Sequence, residues 1–422
     1  MRRTSLGFAL SLVVASTAAA DPLDELGFGA AATGMANARS AVAVGAEAIH
    51  LDPAGLALAE RPELLVGWQY AHDRLAINGD DADLLDAHGT SLGLAIPVRI
   101  SGVQLGAGIA LYLPDQFLAR IQLAPISEPH YVRFESASHR AVVEPAVAIA
   151  IGDWAFGAGV SLLADARSRE LVFDVGVVGG EKQGDARLDI ALPVRIAPLA
   201  GVRWRPSPRV ELAASFRGEL SIDLDLDIVA NIEVPNVVTG DATVSLRSVS
   251  YFTPMRATLG TAIHPRPDLV LTADVTWERW SALGSGVPDL RVLLALDIMP
   301  PLVESMREPA RFRDIVTPRV GAEWRTGALR LRAGAGYLPS PVPSQTGITS
   351  FADGARVLAT TGAGIRIEPN AILAQPIDLD LAIAWQHVAR ALVRKDAELQ
   401  PGGAFSSGGD ILQASASATV RF

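Results

Sequence analysis

The sequence predicts an all-β fold, a transmembrane antiparallel β-barrel of about fourteen strands whose lumen holds an N-terminal hatch of short helices. Three observations lead there. The 422-residue chain is 49% hydrophobic, yet no apolar run beyond its N-terminus reaches the roughly 20 residues of a membrane-crossing helix. Long stretches alternate apolar and polar residues, as strands with one face in lipid do. The links between those stretches alternate between short and long.

The N-terminus reads Met1-Arg2-Arg3, then an apolar run from Leu6 to Val14, then Ala18-Ala19-Ala20. A positive start, a short apolar centre and a small-residue cleavage site describe a secretory signal peptide over 1–20. Its removal takes two arginines and moves the formal charge from −10 to −12. The mature chain is acidic and carries no basic patch, which argues against nucleic acid as a partner. It has no cysteine, so disulfides, thiolate metal sites and a lipid-modified N-terminal cysteine are excluded.

Residues 21–61 lack a strand pattern. Gly27-Phe-Gly-Ala-Ala-Ala-Thr-Gly-Met-Ala-Asn-Ala38 is rich in small residues, and Ala41 to Ile49 suits a short helix ended before Pro53. Irregular backbone cannot face lipid, which leaves a periplasmic extension or the lumen of the barrel.

Residues 62–422 read as the barrel, with strands expected near 62–73, 89–100, 103–113, 142–151, 154–168, 187–205, 209–227, 242–264, 268–282, 316–326, 328–339, 355–368, 376–390 and 410–422. Val210, Leu212, Ala214, Phe216, Gly218, Leu220 and Ile222 form one face, and Glu211, Arg217, Glu219 and Asp223 fall on the other. Leu379, Leu381, Ile383 and Trp385 stand likewise against Asp378, Asp380 and Gln386. Links at 101–102, 152–153, 205–208, 264–267 and 326–327 are short, whereas 74–88, 114–141, 169–186, 283–315, 340–354 and 391–409 are long. Short periplasmic turns and long external loops produce that parity, with 369–375 as a medium link where a turn is expected. Trp68, Tyr70, Tyr112, Trp204, Trp277, Trp280, Trp324, Tyr337 and Trp385 lie mostly near strand ends, where aromatics form interfacial girdles, although core packing suits any single one.

The segment Gly34-Met-Ala-Asn-Ala-Arg-Ser-Ala-Val-Ala-Val-Gly-Ala-Glu-Ala-Ile-His-Leu-Asp-Pro-Ala-Gly-Leu-Ala57 resembles the N-terminal hatch of the FadL family of outer-membrane transporters for long-chain fatty acids and other hydrophobic compounds. Asn37, Pro53, Ala54 and Gly55 stand at matching positions. Phe252-Thr-Pro-Met-Arg-Ala-Thr-Leu-Gly260, Asp274-Val-Thr-Trp277 and Arg332-Ala-Gly-Ala-Gly-Tyr337 extend the likeness along the chain. The resemblance implies a bacterial outer-membrane location, a hatch in the lumen over 21–61, and a lateral opening beside a kinked third strand. Gly106 and Gly108 in that strand suit such a kink, or are ordinary small lumen-facing residues. Asp52 stands where the family carries asparagine. Ionised aspartate only accepts hydrogen bonds, so it requires other partners, such as backbone N–H groups or His50.

Two expected external loops are apolar. Phe117, Leu118 and Ile121 share one face at helical spacing in the first, and Val292, Leu293, Leu296 and Met299 follow in the second. They suit capture of a hydrophobic ligand, or loop-to-loop packing over the barrel. Arg120 and Arg133 are the cations available to a ligand carboxylate, although loop arginines are mostly solvated. No nucleophile elbow, phosphate loop or zinc motif is found, and the seven histidines are scattered, so no catalytic residue, metal or cofactor is expected. The function expected is passive uptake of long-chain fatty acids or other hydrophobic molecules, with outer-membrane lipid and, through the C-terminal Phe422, the outer-membrane assembly machinery as partners. A general porin and a structural or adhesive barrel are the rival readings.

Overall fold

The structure is a computed structural model of the full chain, described for residues 14–16, 26–115, 123–125, 128–131, 133–134, 141–164, 167–178, 181–191, 194–234, 238–283, 289–296, 302–306, 311–345, 349–369, 374–394 and 403–422. The wall consists of β1 Glu63–Ile77, β2 Ala87–Ile100, β3 Val103–Pro114, β4 Val142–Ile151, β5 Trp154–Ala164, β6 Val194–Ser207 and β7 Val210–Arg217. It continues with β8 Arg256–Arg266, β9 Leu269–Glu278, β10 Ile315–Thr326, β11 Leu329–Leu338, β12 Arg356–Ile367, β13 Ile377–Val393 and β14 Phe405–Arg421. Neighbours pair antiparallel, and β14 closes on β1 from Glu63↔Arg421 to Ile77↔Ser407. Full closure leaves no free edge for lipid to meet.

The alternation behaves as expected. On β13, Leu379, Leu381, Ile383 and Trp385 are exposed on the outer face, whereas Asp378, Asp380 and Gln386 are buried inside. Exposed Trp68, Trp324 and Trp385 donate their indole N–H groups to Asp115, Asp268 and Asp410, which fixes the polar edge of each ring in the girdle. Tyr112 and Trp280 differ: both are fully buried in the lumen, Trp280 on a short 3₁₀ turn at Trp280–Leu283. All short links lie at one rim, together with the medium link between β12 and β13.

Two departures share one cause. Val210 to Ile228 is not a single strand with one apolar face. β7 ends at Arg217, and beyond Gly218 and Glu219 the chain has turned over. Leu212 and Phe216 are exposed outside, whereas Leu220 and Ile222 are buried inside. Periodicity reports that one face is apolar, not which medium it meets. The long links 169–186 and 283–315 are not plain loops either. Glu181–Ala191, Arg167–Val178, Leu220–Val234, Val238–Thr253, Asp289–Leu296 and Leu302–Met306 form, in that order, one six-stranded sheet beyond the long-loop rim. The alternation that builds the wall simply continues past the membrane.

Residues 26–59 fill the lumen as the hatch, with α1 at Ala30–Thr33, α2 at Ala46–Leu51 and a 3₁₀ turn at Pro53–Leu58. It docks so closely that a Cβ on Gly157 of β5 would collide with the Pro53 and Ala54 backbone. We expect Gly157→Val to cost about 1–3 kcal/mol through overpacking and to dislodge the turn. The measurement is ion conductance in planar bilayers, which should rise while the barrel stays folded; unchanged conductance would show that the wall yields instead.

Candidate functional site

The turn Asp52-Pro53-Ala54-Gly55 is built from local chemistry. Asp52 caps the 3₁₀ turn, its Oδ1 accepting the Ala54 N–H at 3.1 Å, and Pro53 follows where a missing N–H costs nothing. A Cβ on Gly55 would strike the Ala43 carbonyl. Glycines of three wall strands leave room for the turn: Gly106 of β3 faces Leu56, Gly157 faces Pro53, and Gly201 of β6 faces Asp52. Gly106 and Gly108 therefore admit the hatch. β3 keeps its pairing with both β2 and β4 through both glycines, so they do not interrupt the strand.

Asp52 is fully buried, and its second oxygen lies 3.4 Å from Nε of the equally buried Arg203 of β6. The stronger bond of that guanidinium goes elsewhere, to the Ser40 carbonyl at 2.6 Å. Burial therefore dominates and raises the Asp52 pKa above the usual carboxylate value, with Arg203 and the Ala54 N–H opposing it. His50 is not its partner. His50 Nδ1 lies 3.0 Å from Glu144 of β4, and Arg217 of β7 joins both, donating to Glu144 and, at 2.8 Å, to the His50 carbonyl.

The remaining contacts lock the hatch around the barrel. Arg39 pairs with Glu47 at 2.9 Å and Glu323 of β10 at 3.4 Å. Burial works against its charge, but those two carboxylates outweigh it and hold the Arg39 pKa above its ordinary value. Asn37 takes a left-handed backbone, φ 60°, which asparagine tolerates.

The two sides of the hatch differ in their lining. Toward the long-loop rim Tyr112, Tyr251, Phe252, Trp280, Phe351 and Phe405 are buried in one aromatic cluster, with Glu278, Asp353 and Arg356 buried at the same end. Arg133 is not a solvated loop arginine: it is buried in this region, 5.3 Å over the Trp280 ring and 3.8 Å from Asp353. Toward the short-turn rim lies a cavity of about 690 Å³ lined by charge, including Arg39, Glu47, Glu323, Arg332, Asp378 and Asp380. Outside the wall, an apolar depression of about 540 Å³ lies over β2–β5, bounded by Ile96, Val98, Leu105, Val147, Ile149 and Phe156.

Of the residues expected to bind ligand, Phe117, Leu118, Arg120, Ile121 and Met299 lie outside the described residues. Val292, Leu293 and Leu296 belong to a strand of the external sheet, with Val292 and Leu293 half-buried and opposite Val244 and Thr243. The luminal aromatics do not stand out in the sequence. Trp280 is visible there only as part of the general aromatic pattern, and Phe252 only as the start of a segment that carries the family likeness.

A closed barrel with a charged floor, an aromatic cluster toward the long-loop rim and a hatch between them defines a plugged outer-membrane channel. Residues 196–422 match the model of the family described as outer membrane protein transport protein (OMPP1/FadL/TodX). That is more than half of the chain, and the chain belongs to this family. Its fold is similar to that of a FadL homologue from Pseudomonas aeruginosa, at 17% identity over 94% of this chain and 98% of that one, TM-score 0.60. The toluene transporter TodX of Pseudomonas putida is similar at 16% identity over 95% and 100%, TM-score 0.55. The toluene transporter TbuX of Ralstonia pickettii follows at 15% over 94% and 98%, TM-score 0.54. No curated protein shows significant sequence similarity.

Asp52 yields a pH prediction. A carboxyl whose pKa is raised on folding binds its proton more readily in the native state. Its burial therefore penalises stability above that raised value, and the penalty fades as pH falls toward the unfolded value. We expect Asp52→Asn to unfold at a higher temperature than wild type at neutral pH, with the gap closing as the pH approaches 4, about the unfolded carboxylate value. Thermal unfolding in detergent checks this; a variant less stable at neutral pH would show that Arg203 holds the charge more strongly than burial opposes it.

Proposed function

We propose that the protein is a passive channel that takes hydrophobic molecules across the outer membrane. Ligand is gathered by the external loops, passes into the aromatic lumen above the hatch, and leaves sideways into the bilayer. The observation that carries this reading is the contrast across the hatch. An apolar solute continuing downward would exchange aromatic surroundings for a floor of arginines and carboxylates. Moving it sideways keeps its surface out of water, worth about 25 cal/mol per Å². No energy-coupling motif is found near the N-terminus, so diffusion down a gradient suffices.

For the substrate, we favour molecules recognised through apolar contact, which include neutral aromatic hydrocarbons as well as long-chain fatty acids. Arg133 already faces Asp353 and Trp280, so a ligand carboxylate would have to compete for it. TodX, similar in fold, is described as a monoaromatic hydrocarbon channel, which supports the neutral class by analogy. The hatch in the lumen disfavours a general porin. Residues 1–20 serve as the export signal in this reading, and Phe422, 54% exposed after the last strand, as the assembly signal.

Uptake by cells expressing the protein, compared for a labelled long-chain fatty acid, a monoaromatic hydrocarbon and a small sugar, tests the proposal. Hydrophobic uptake well above the vector control is expected, with no gain for the sugar. Sugar flux without hydrophobic uptake would establish a porin instead.

A further inference from the structure

Two long links meet at the outer end of the lumen. His130 and Tyr131, in the link between β3 and β4, pair in parallel with Phe351 and Ala352, in the link between β11 and β12. The His130 N–H donates to the Ser350 carbonyl at 3.1 Å, and the His130 and Phe351 rings meet edge to face at 5.4 Å. Two paired residues make a short ladder, and parallel pairing is the weaker kind.

The crossing is fastened on two sides. Ala76 of β1 and Gly408 of β14 oppose each other at the junction that closes the barrel. The Tyr131 hydroxyl joins them, accepting the Gly408 N–H at 2.7 Å and donating to the Ala76 carbonyl at 3.0 Å. On the other side, Arg133 lies 5.3 Å over Trp280, just after β9, and 3.8 Å from Asp353, just before β12. Phe312, just before β10, packs on Phe351 with ring centroids 5.7 Å apart. A segment tethered between β3 and β4 therefore reaches the ends of β9 and β10, nearly opposite in a ring of fourteen strands. It is a strap across the mouth.

The strap is continuous with the aromatic cluster beneath it. Tyr131, Trp280, Phe312 and Phe351 are buried and belong to the same cluster as Tyr112, Tyr251 and Phe252. A ligand among those rings takes the place of contacts that the strap makes in the closed state. Two rungs, one bridging hydroxyl and an ion pair as long as 3.8 Å are few fastenings, and segments held by few bonds open locally at small cost.

We infer that the strap formed by His130–Tyr131 and Phe351–Ala352 is an entry lid that lifts to admit apolar ligand to the aromatic cluster. The inference rests on the uptake proposed above and concerns entry alone. Tyr131 is its positioning residue, pinning the lid to the closing junction of the wall.

Because the chain has no cysteine, introduced thiols are unambiguous. His130→Cys with Phe351→Cys joins paired residues of the strap, and Ala322→Cys with Ala333→Cys does the same across β10 and β11. Neighbouring strands lie about 4.8 Å apart, which a disulfide spans. Both staples are compared with wild type in the hydrophobic uptake assay, oxidised and reduced, with crosslinking followed by mass. The oxidised strap staple should lower uptake roughly ten-fold, reversibly on reduction, and the wall staple should leave it unchanged. A second measurement reads opening without transport. Ala71→Cys places a thiol in the buried cluster on the inner face of β1, and its labelling by a water-soluble maleimide is timed in detergent. Adding Tyr131→Phe, which removes the bridging hydroxyl, should speed labelling roughly five-fold, the effect of one lost hydrogen bond on an open population. Normal uptake by the oxidised strap staple, or labelling unchanged by Tyr131→Phe, would overturn the lid while leaving the channel function standing. Absence of hydrophobic uptake in wild type would instead overturn the channel function, on which the labelling rate does not depend.

Discussion

An irregular segment survives inside a barrel only if the wall hydrogen-bonds its backbone, and this constraint shapes most of the molecule. Ser417 of β14 accepts from Ala30 N–H at 3.2 Å, and Thr360 of β12 both accepts from Ala36 N–H and donates to the Gly34 carbonyl. Asp274 of β9 takes Ser40 N–H, Arg203 of β6 takes Ser40 carbonyl, and Glu63 of β1 takes Ala46 N–H at 2.6 Å. The polar half of the strand alternation thus serves the hatch rather than a water-filled pore. An unpaired backbone group in such a place would cost about 1–3 kcal/mol.

The same constraint explains the charges. The hatch brings Arg39, Glu47, His50 and Asp52 into the lumen; the wall meets Arg39, His50 and Asp52 with opposite or bridging groups, and Glu47 pairs with Arg39 within the hatch. Arg332 continues the network from Glu323 to Asp380, and Arg421 ties Glu63 to Asp378 at the closing junction. Buried pairs of this kind add little net stability against an apolar core, but removing one partner strands the other. They fix where the hatch sits more than how strongly the barrel holds.

The barrel was legible because lipid enforces period two over long stretches, and the parity of the links followed from it. β13 was readable almost residue by residue, since its outer face is apolar and its inner face carries Asp378 and Asp380. The hatch was legible as small residues without strand period, and as a likeness around Pro53-Ala54-Gly55. What the sequence hid was the side of the wall. Leu212 and Leu220 have equal parity and similar character, yet one meets lipid and the other the lumen, because the chain turns over at Gly218. Trp280 and Tyr112 went unrecognised as luminal for the same reason. Spatial pairing was hidden too: Arg203 is 151 residues from Asp52, and nothing local announces it.

That ambiguity between lumen and lipid also bears on transport. The wall presents an aromatic cluster inward above the hatch and apolar side chains outward along the barrel, so on the proposed route a hydrophobic molecule finds apolar contact on both sides. On the proposed route the large free-energy drop comes at entry, when apolar surface leaves water, and passage from lumen to bilayer is then nearly level. A channel of this kind needs no energy input at the exit, and an exit downward through the charged floor would undo the gain made at entry. On the same reading the hatch has only to exclude water and ions, a task that suits close-packed glycines and alanines with backbone partners supplied by the wall.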